Sequence, residues 1–164
     1  NLDIYKSKTK GTIAGEAATF FLLANEPSAT DYAKLDGLHT FYKPDGTDEI
    51  EKQINSFLEK QHISIDDIDL IITGKNGDSG EDEVYELLSK TIFAGKENIN
   101  YKYLCGEYPT AAAFAMWLAA TIVKSGTVPA MLSNTDLREK KIKKVLIYNH
   151  YRDIHHSLSL LSAC

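Results

Sequence analysis

The sequence is poor in the residues that would commit it to a specialised class. Of its 164 residues two are cysteine, Cys105 and Cys164, four are proline and one is tryptophan. Two cysteines do not make the disulfide framework of a small secreted domain, so a reducing compartment, the cytoplasm, is the expectation. Basic residues are outnumbered: 18 Lys and Arg stand against 23 Asp and Glu, a formal charge of −5. The basic footprint that nucleic-acid binding requires is therefore missing. The longest apolar run, residues 111–120 with Ile122 and Val123 beyond Thr121, falls short of the ~20 residues of a membrane-spanning helix. No signal peptide, internal repeat or low-complexity segment is read in the chain. What is there is ordinary: 43% hydrophobic and 25% charged residues, the composition of a globular domain. A domain of this length buries ~70% of its unfolded surface and can hold a real core.

Residues 17–23 (Ala-Ala-Thr-Phe-Phe-Leu-Leu) read as a strand buried on both faces. After the turn material Asn25-Glu26-Pro27-Ser28, residues 34–42 read as a second strand, pairing with the first and bulged at Gly37. Residues 48–60 place Ile50, Ile54, Phe57 and Leu58 on one helical stripe, with Thr47 as N-cap and Asp48, Glu49 and Glu51 at the positive end of the dipole. A short buried strand over 68–73 leads into the glycine-rich loop 74–80. A helix over 81–93 then turns Val84, Leu87, Leu88 and Ile92 inward. Residues 101–104 read as another strand. Pro109 opens a helix that runs to Lys124 and is apolar nearly all round, so it is expected in the middle of the structure. Strands over 145–148 and 157–161 follow, joined through residues 149–154. Strands alternating with helices argue for a sheet covered by helices. The terminal strand pair argues that the sheet is mixed.

Several constellations invite chemistry, each beside a plainer reading. His150, Asp153, His155 and His156 resemble a metal set, yet adjacent strand residues point to opposite faces, so His155 and His156 do not share an ion easily. The glycines between Gly74 and Gly80 suggest a phosphate cradle, but the Gly-Lys-Ser/Thr ending of a P-loop is missing, and a strand-to-helix loop is the better reading. Cys105, three residues after Lys102, reads as an activated thiol or as a buried inert one; with no histidine nearby in sequence the second is preferred. Tyr32, Tyr42, Tyr85, Tyr101, Tyr103 and Tyr108 read as half-buried positions.

Four segments in order resemble one family. Gly15-Glu16-Ala17-Ala18 before Phe20 is similar to a Gly-Glu-Gly-Ala segment; residues 65–69 and Leu70-Ile71-Ile72-Thr73-Gly74 to the approach to a His-Gly-Thr-Gly-Thr motif; Lys102-Tyr103-Leu104-Cys105-Gly106-Glu107 to Lys-Ser-x-x-Gly-His; and residues 145–161 to the strands flanking a Gly-Phe-Gly-Gly turn. Together they resemble the C-terminal half of the β-ketoacyl-acyl-carrier-protein synthases, condensing enzymes of the thiolase-like superfamily. The resemblance implies an α/β fold, a thiolase-like half with a mixed five-stranded sheet and helices on its faces, with residues 1–164 as one domain. It also implies that the half bearing the nucleophilic cysteine lies outside this chain, since neither Cys105 nor Cys164 matches that position.

In that family two neutral histidines donate hydrogen bonds to the enolate formed when a malonyl thioester loses carbon dioxide. Here the first falls at Gly74, or at Lys75 if the loop shifts by one, and the second at Glu107; Lys102 keeps the family's lysine. A carboxylate facing an enolate repels it, so Lys102, Glu107 and Gly74 occupy catalytic positions without the catalytic chemistry. An ion pair between Lys102 and Glu107 is the expected arrangement. The glycine-rich turn is replaced by His150-Tyr151-Arg152-Asp153, which adds bulk where the family needs none. The resemblance therefore implies a non-catalytic relative on the pattern of a chain length factor. The alternative is part of a divergent active synthase whose other half carries the cysteine. Implied partners are an acyl carrier protein and a condensing enzyme, as homodimer or heterodimer, with no cofactor and no metal. The basic run Arg138-Glu139-Lys140-Lys141 with Lys143 and Lys144 reads as a solvated face, or as a docking surface for an acidic carrier protein.

Overall fold

A computed structural model describes residues 9–132 and 141–164. The elements are β1 (Lys34–Tyr42), α1 (Gly46–Lys60), a 3-10 turn (Ile65–Asp67), β2 (Leu70–Thr73), α2 (Glu83–Leu88), β3 (Asn98–Asn100), α3 (Lys102–Cys105), α4 (Ala111–Ser125), β4 (Lys144–Tyr151) and β5 (His155–Ser162). They form the expected mixed five-stranded sheet, in the order β1-β5-β4-β2-β3. β2 runs parallel to β3 and β4, while β5 runs antiparallel to β4 and β1.

The two-residue period of the strands sorts their side chains into two cores. Ile71, Leu146, Tyr148, Leu158 and Leu160 face Ile50, Ile54, Phe57 and Leu58 of α1 and Val84, Tyr85 and Leu88 of α2. Their neighbours Leu70, Ile72, Val145, Ile147 and Leu161 face Ala111, Ala115, Leu118, Ala119, Ile122 and Val123 of α4. A run such as Leu70-Ile71-Ile72-Thr73 is apolar throughout because each face meets a helix layer.

Several expectations need correction. Residues 17–23 form no strand. Phe20 is 92%, Leu22 101% and Leu23 81% exposed, because no strand of this sheet offers them a seat. The strand β1 pairs instead with β5, from Lys34↔Ser162 to Tyr42↔His155, and the expected bulge is the register shift between Leu35 and Gly37. The helix α1 begins two residues earlier than expected, with Asp45, not Thr47, at the N-cap; the Asp45 N–H donates to Glu49 at 2.5 Å. The α2 region is helical only over Glu83–Leu88 and continues as turns through Gly95. The strand read at 101–104 lies earlier, at Asn98–Asn100, and Lys102–Cys105 is a single helical turn. The apolar helix α4 buries one face only; Trp117 on the other is 43% exposed, because helices here cover the sheet in one layer per face. Tyr85 and Tyr101 are fully buried, whereas Tyr32, Tyr42 and Tyr103 are exposed. Residues 138–140 of the basic run lie outside the described residues.

Candidate functional site

The parallel strands β2, β3 and β4 end on one edge of the sheet, where α/β folds place their sites. The loop after β2 is shaped by two aspartates. Asp82 accepts the backbone N–H groups of Asn76 at 2.8 Å and Gly77 at 2.9 Å. Asp78 accepts those of Gly11, Gly80 and Glu81, which hold its carboxyl below the usual range, Gly11 foremost. The loop is thus an Asx-braced connection, and the backbone donors of Asn76, Gly77, Gly80 and Glu81 are spent on its own aspartates.

Asn76 is the hub. Its Nδ2 donates to Glu81 at 3.0 Å and to Glu107 Oε2 at 2.8 Å. The same Glu107 oxygen accepts from Lys102 Nζ at 2.5 Å, so the expected ion pair is present; Lys102 is 4% and Glu107 23% exposed. Glu107 is also fixed through its backbone: its N–H donates to Ile13, its carbonyl accepts from Gly15, and Ala14 and Glu107 form an isolated parallel bridge. A Cβ on Gly15 would sit 1.9 Å from the Cys105 carbonyl oxygen, so only glycine lets this segment approach so closely. Cys105 Sγ faces the Tyr101 and Gly106 carbonyls. Burial pushes its thiol up, and a thiol in that state is a poor nucleophile.

Gly74, which the resemblance pairs with a histidine, has no room for a side chain. A Cβ there would meet Asn149 Oδ1 at 1.9 Å and the Tyr85 hydroxyl at 2.7 Å. The Tyr101 hydroxyl donates to that Asn149 oxygen at 3.0 Å, and the Tyr85 hydroxyl accepts the His150 N–H at 3.0 Å. Two buried tyrosines and an asparagine fill the space a side chain at residue 74 would need. The neighbouring Lys75 is ion-paired with Glu86.

His150 is held neutral by geometry. Its Nδ1 accepts the Asp153 N–H at 3.0 Å, so the proton rests on Nε2, which donates to the Glu81 carbonyl at 2.9 Å. Burial, with His156 beside it, pushes its pKa down to about 4. His156 bonds Tyr148 through Nδ1 at 2.9 Å, while His155 points to the opposite, exposed side of β5. Among the described residues no group of three His, Cys, Asp or Glu is placed to hold a metal ion. The β4–β5 turn keeps a glycine-like backbone without glycine: Arg152 and Asp153 have φ of 56° and 53°. A groove of about 540 Å³ beside this turn is lined by Thr40, Tyr42, Asn149, Tyr151, His155 and Ser157.

Sequence reasoning reached Gly74, Lys102 and Glu107 but missed Asn76, Asp82, Asn149 and Tyr85. Only Asp82, at the entrance of a helix, carried a local signal.

No protein-family model matches the sequence, and no curated protein matches it either. Solved structures do. An ishigamide ketosynthase/chain length factor superposes with a TM-score of 0.67 at 14% identity, over 81% of this chain and 38% of that one. A type II PKS acyl-carrier protein in complex with its ketosynthase matches at 0.62 and 16% identity, over 81% and 39%. The 3-oxoacyl-[acyl-carrier-protein] synthase III of Aquifex aeolicus VF5 matches at 0.50 and 12% identity, over 82% and 46%. The chain thus spans less than half the length of these structures. At such identities the likeness speaks for the fold alone: this chain, a mixed five-stranded sheet with helices, shares the α/β fold of the solved ketosynthase and chain length factor structures.

Proposed function

We propose that the chain is a ketosynthase-like protein of fatty-acid or polyketide-type biosynthesis that does not condense acyl groups itself and serves, as a chain length factor does, as partner to an active condensing enzyme. Residues 1–164 would form one domain equivalent to the C-terminal half of such an enzyme. The observation that carries the reading is the Glu107–Lys102 ion pair at 2.5 Å, standing where the family places an enolate-stabilising histidine. A carboxylate opposes an enolate by like charge. The filled space at Gly74 supports it further, because the family's first histidine has no room there either. An acyl carrier protein is the expected visiting partner, as in one of the matching structures, and a cytoplasmic location fits the two free thiols.

The test is direct. The purified chain, given malonyl and acyl carrier proteins, is expected to release no carbon dioxide and form no ketoacyl product, and Glu107→His is expected to change neither. Product from the native chain would overturn the reading in favour of a divergent active synthase using a protonated Glu107.

A further inference from the structure

The side chain of His156 is fully shielded, and its Nε2 is a buried polar atom with no hydrogen-bond partner. Buried polar atoms are rarely left unpaired, so this one asks for an explanation. Asp153 Oδ1 stands 3.6 Å from it, outside hydrogen-bonding range. A bare nitrogen lone pair facing a carboxylate would be repelled, so the proton rests on Nε2, and Nδ1 accepts the Tyr148 hydroxyl at 2.9 Å. His156 is thus a neutral ring whose one N–H faces a carboxylate that does not reach it.

His150, on the neighbouring strand, is built the other way. Both of its nitrogens are engaged, Nε2 as donor to the Glu81 carbonyl and Nδ1 as acceptor of the Asp153 N–H. A second proton would set N–H against N–H at Nδ1. On His156 a second proton is accommodated, because the Tyr148 hydroxyl can turn from donor to acceptor. The two rings stack with 5.5 Å between centroids, close enough that a charge on one opposes a charge on the other. From β1, Phe41 stacks on His156 at 4.9 Å, and His39 stacks on Phe41 with its Nε2 on Gln53. From α2, Tyr85 packs on His150 and Tyr148. His155 lies on the opposite, exposed side of β5. The cations nearby are Arg152 in the turn, Lys43, whose N–H holds the Ile154 carbonyl, and Lys102, which acts on His150. Glu81 and Glu83 line one hollow with Asp153, and three carboxylates around one hollow repel one another. Arg152 and Asp153 also hold left-handed backbone, at φ of 56° and 53°, which costs energy in a residue with a Cβ.

We propose that the β4–β5 turn is an acid-operated switch: His156 takes up a proton from solvent, the Asp153 carboxylate closes onto its Nε2–H, and Asp153 leaves the hollow it shares with Glu81 and Glu83. Burial holds the pKa of His156 below the ordinary histidine value, and Asp153 opposes that shift, so the switch operates on the acid side of neutrality. Every group it uses belongs to this sheet, α2 and the loop before α2. It is independent of any condensing-enzyme role.

Imidazole proton–nitrogen correlation spectra of the full chain, followed from pH 7.5 down to pH 4.5 together with the backbone amides of residues 152–154, test it. The expected result is the Nε2–H tautomer of His156 at pH 7.5, protonation of His156 before His150, and amide shifts at residues 152–154 with the midpoint of His156. In Asp153→Asn, which keeps the backbone N–H and suits a left-handed position, the midpoint of His156 is expected to fall and the amide shifts to stop tracking it. The tautomer and the order of protonation are read on the unaltered chain, whatever the variant does to folding. An Nδ1–H tautomer, His150 protonating first, amides that do not move with His156, an unchanged midpoint in Asp153→Asn, or unfolding before His156 titrates would each overturn the proposal.

Discussion

At the scale of the residue, the site turns on one carboxylate. Glu107 accepts from Lys102 and Asn76, and its backbone is held by residues 13–15. Removing the carboxylate while leaving the lysine buried is costly, because a buried charge without its partner cannot be solvated. Glu107→Ala is expected to lower unfolding stability by about 2–3 kcal/mol, toward the lower end for buried pairs because Glu107 is partly exposed. Urea denaturation would show it, and Lys102→Met/Glu107→Leu should recover most of the loss. The spacing of Lys102 and Glu107 was legible in the sequence, and so was their pairing, because five residues separate them across one turn. Asn76 was not legible, because it comes from a loop 31 residues away and nothing local marks an asparagine as a hub. Gly74→Ala tests the other half of the site. Its Cβ would displace Asn149 and break the Tyr101–Asn149 bond, at about 2 kcal/mol. Asn149→Ala in the same background should relieve most of the clash, as equilibrium unfolding would report.

At the scale of the element, the β4–β5 turn sets bulky residues on a backbone that favours glycine. The chain passes through two left-handed positions, at Arg152 and Asp153, secured by the Asp153 N–H on His150 and the Ile154 carbonyl on the Lys43 N–H. A non-glycine residue there costs about 1–2 kcal/mol, partly offset by the entropy glycine would lose. Arg152→Gly is therefore expected to raise stability by about 0.5–1 kcal/mol, measured as a shift of the thermal midpoint; a fall would mean that the arginine side chain contributes more than its backbone costs. The α4 helix carries the complementary lesson. Its composition is apolar on every side, but one sheet can bury only one side of it. The outward face is a property of what lies beyond the domain, which helical periodicity cannot report.

At the scale of the whole molecule, acid should be the weakness of the fold. His150 and His156 lie buried between β4, β5 and α2, their rings stacked with 5.5 Å between centroids, and burial lowers the pKa of both. The sign follows from linkage. The unfolded chain takes up a proton at His150 near pH 6.5, the folded chain only near pH 4, so the unfolded state binds more protons in between. Stability is full above about pH 6.5 and falls as the pH drops toward 4, by about 3 kcal/mol from His150 alone. Urea unfolding at pH 7 and pH 4.5 would measure it. In His150→Gln that pH slope should flatten, whatever the variant does to stability at pH 7. No helix among the described residues is long and apolar enough to cross a membrane, in line with the short apolar run.

The sequence by itself determined the class of fold, the apolar stripe of α1, the strands β1, β2, β4 and β5 and the pairing of Lys102 with Glu107, because each rests on periodicity or on neighbours a few residues apart. Only the tertiary structure decided that β1 pairs with β5, that Asn76 joins Glu107 to Glu81, and that Tyr85 and Asn149 close the space at Gly74. Those contacts join segments far apart in the chain, and their geometry exists only once the sheet has brought the strand ends to one edge. For residues 17–23 the sequence states a demand for burial on two faces, and the structure shows that this domain does not meet it. A period of two fixes which way side chains point, but not what they pack against.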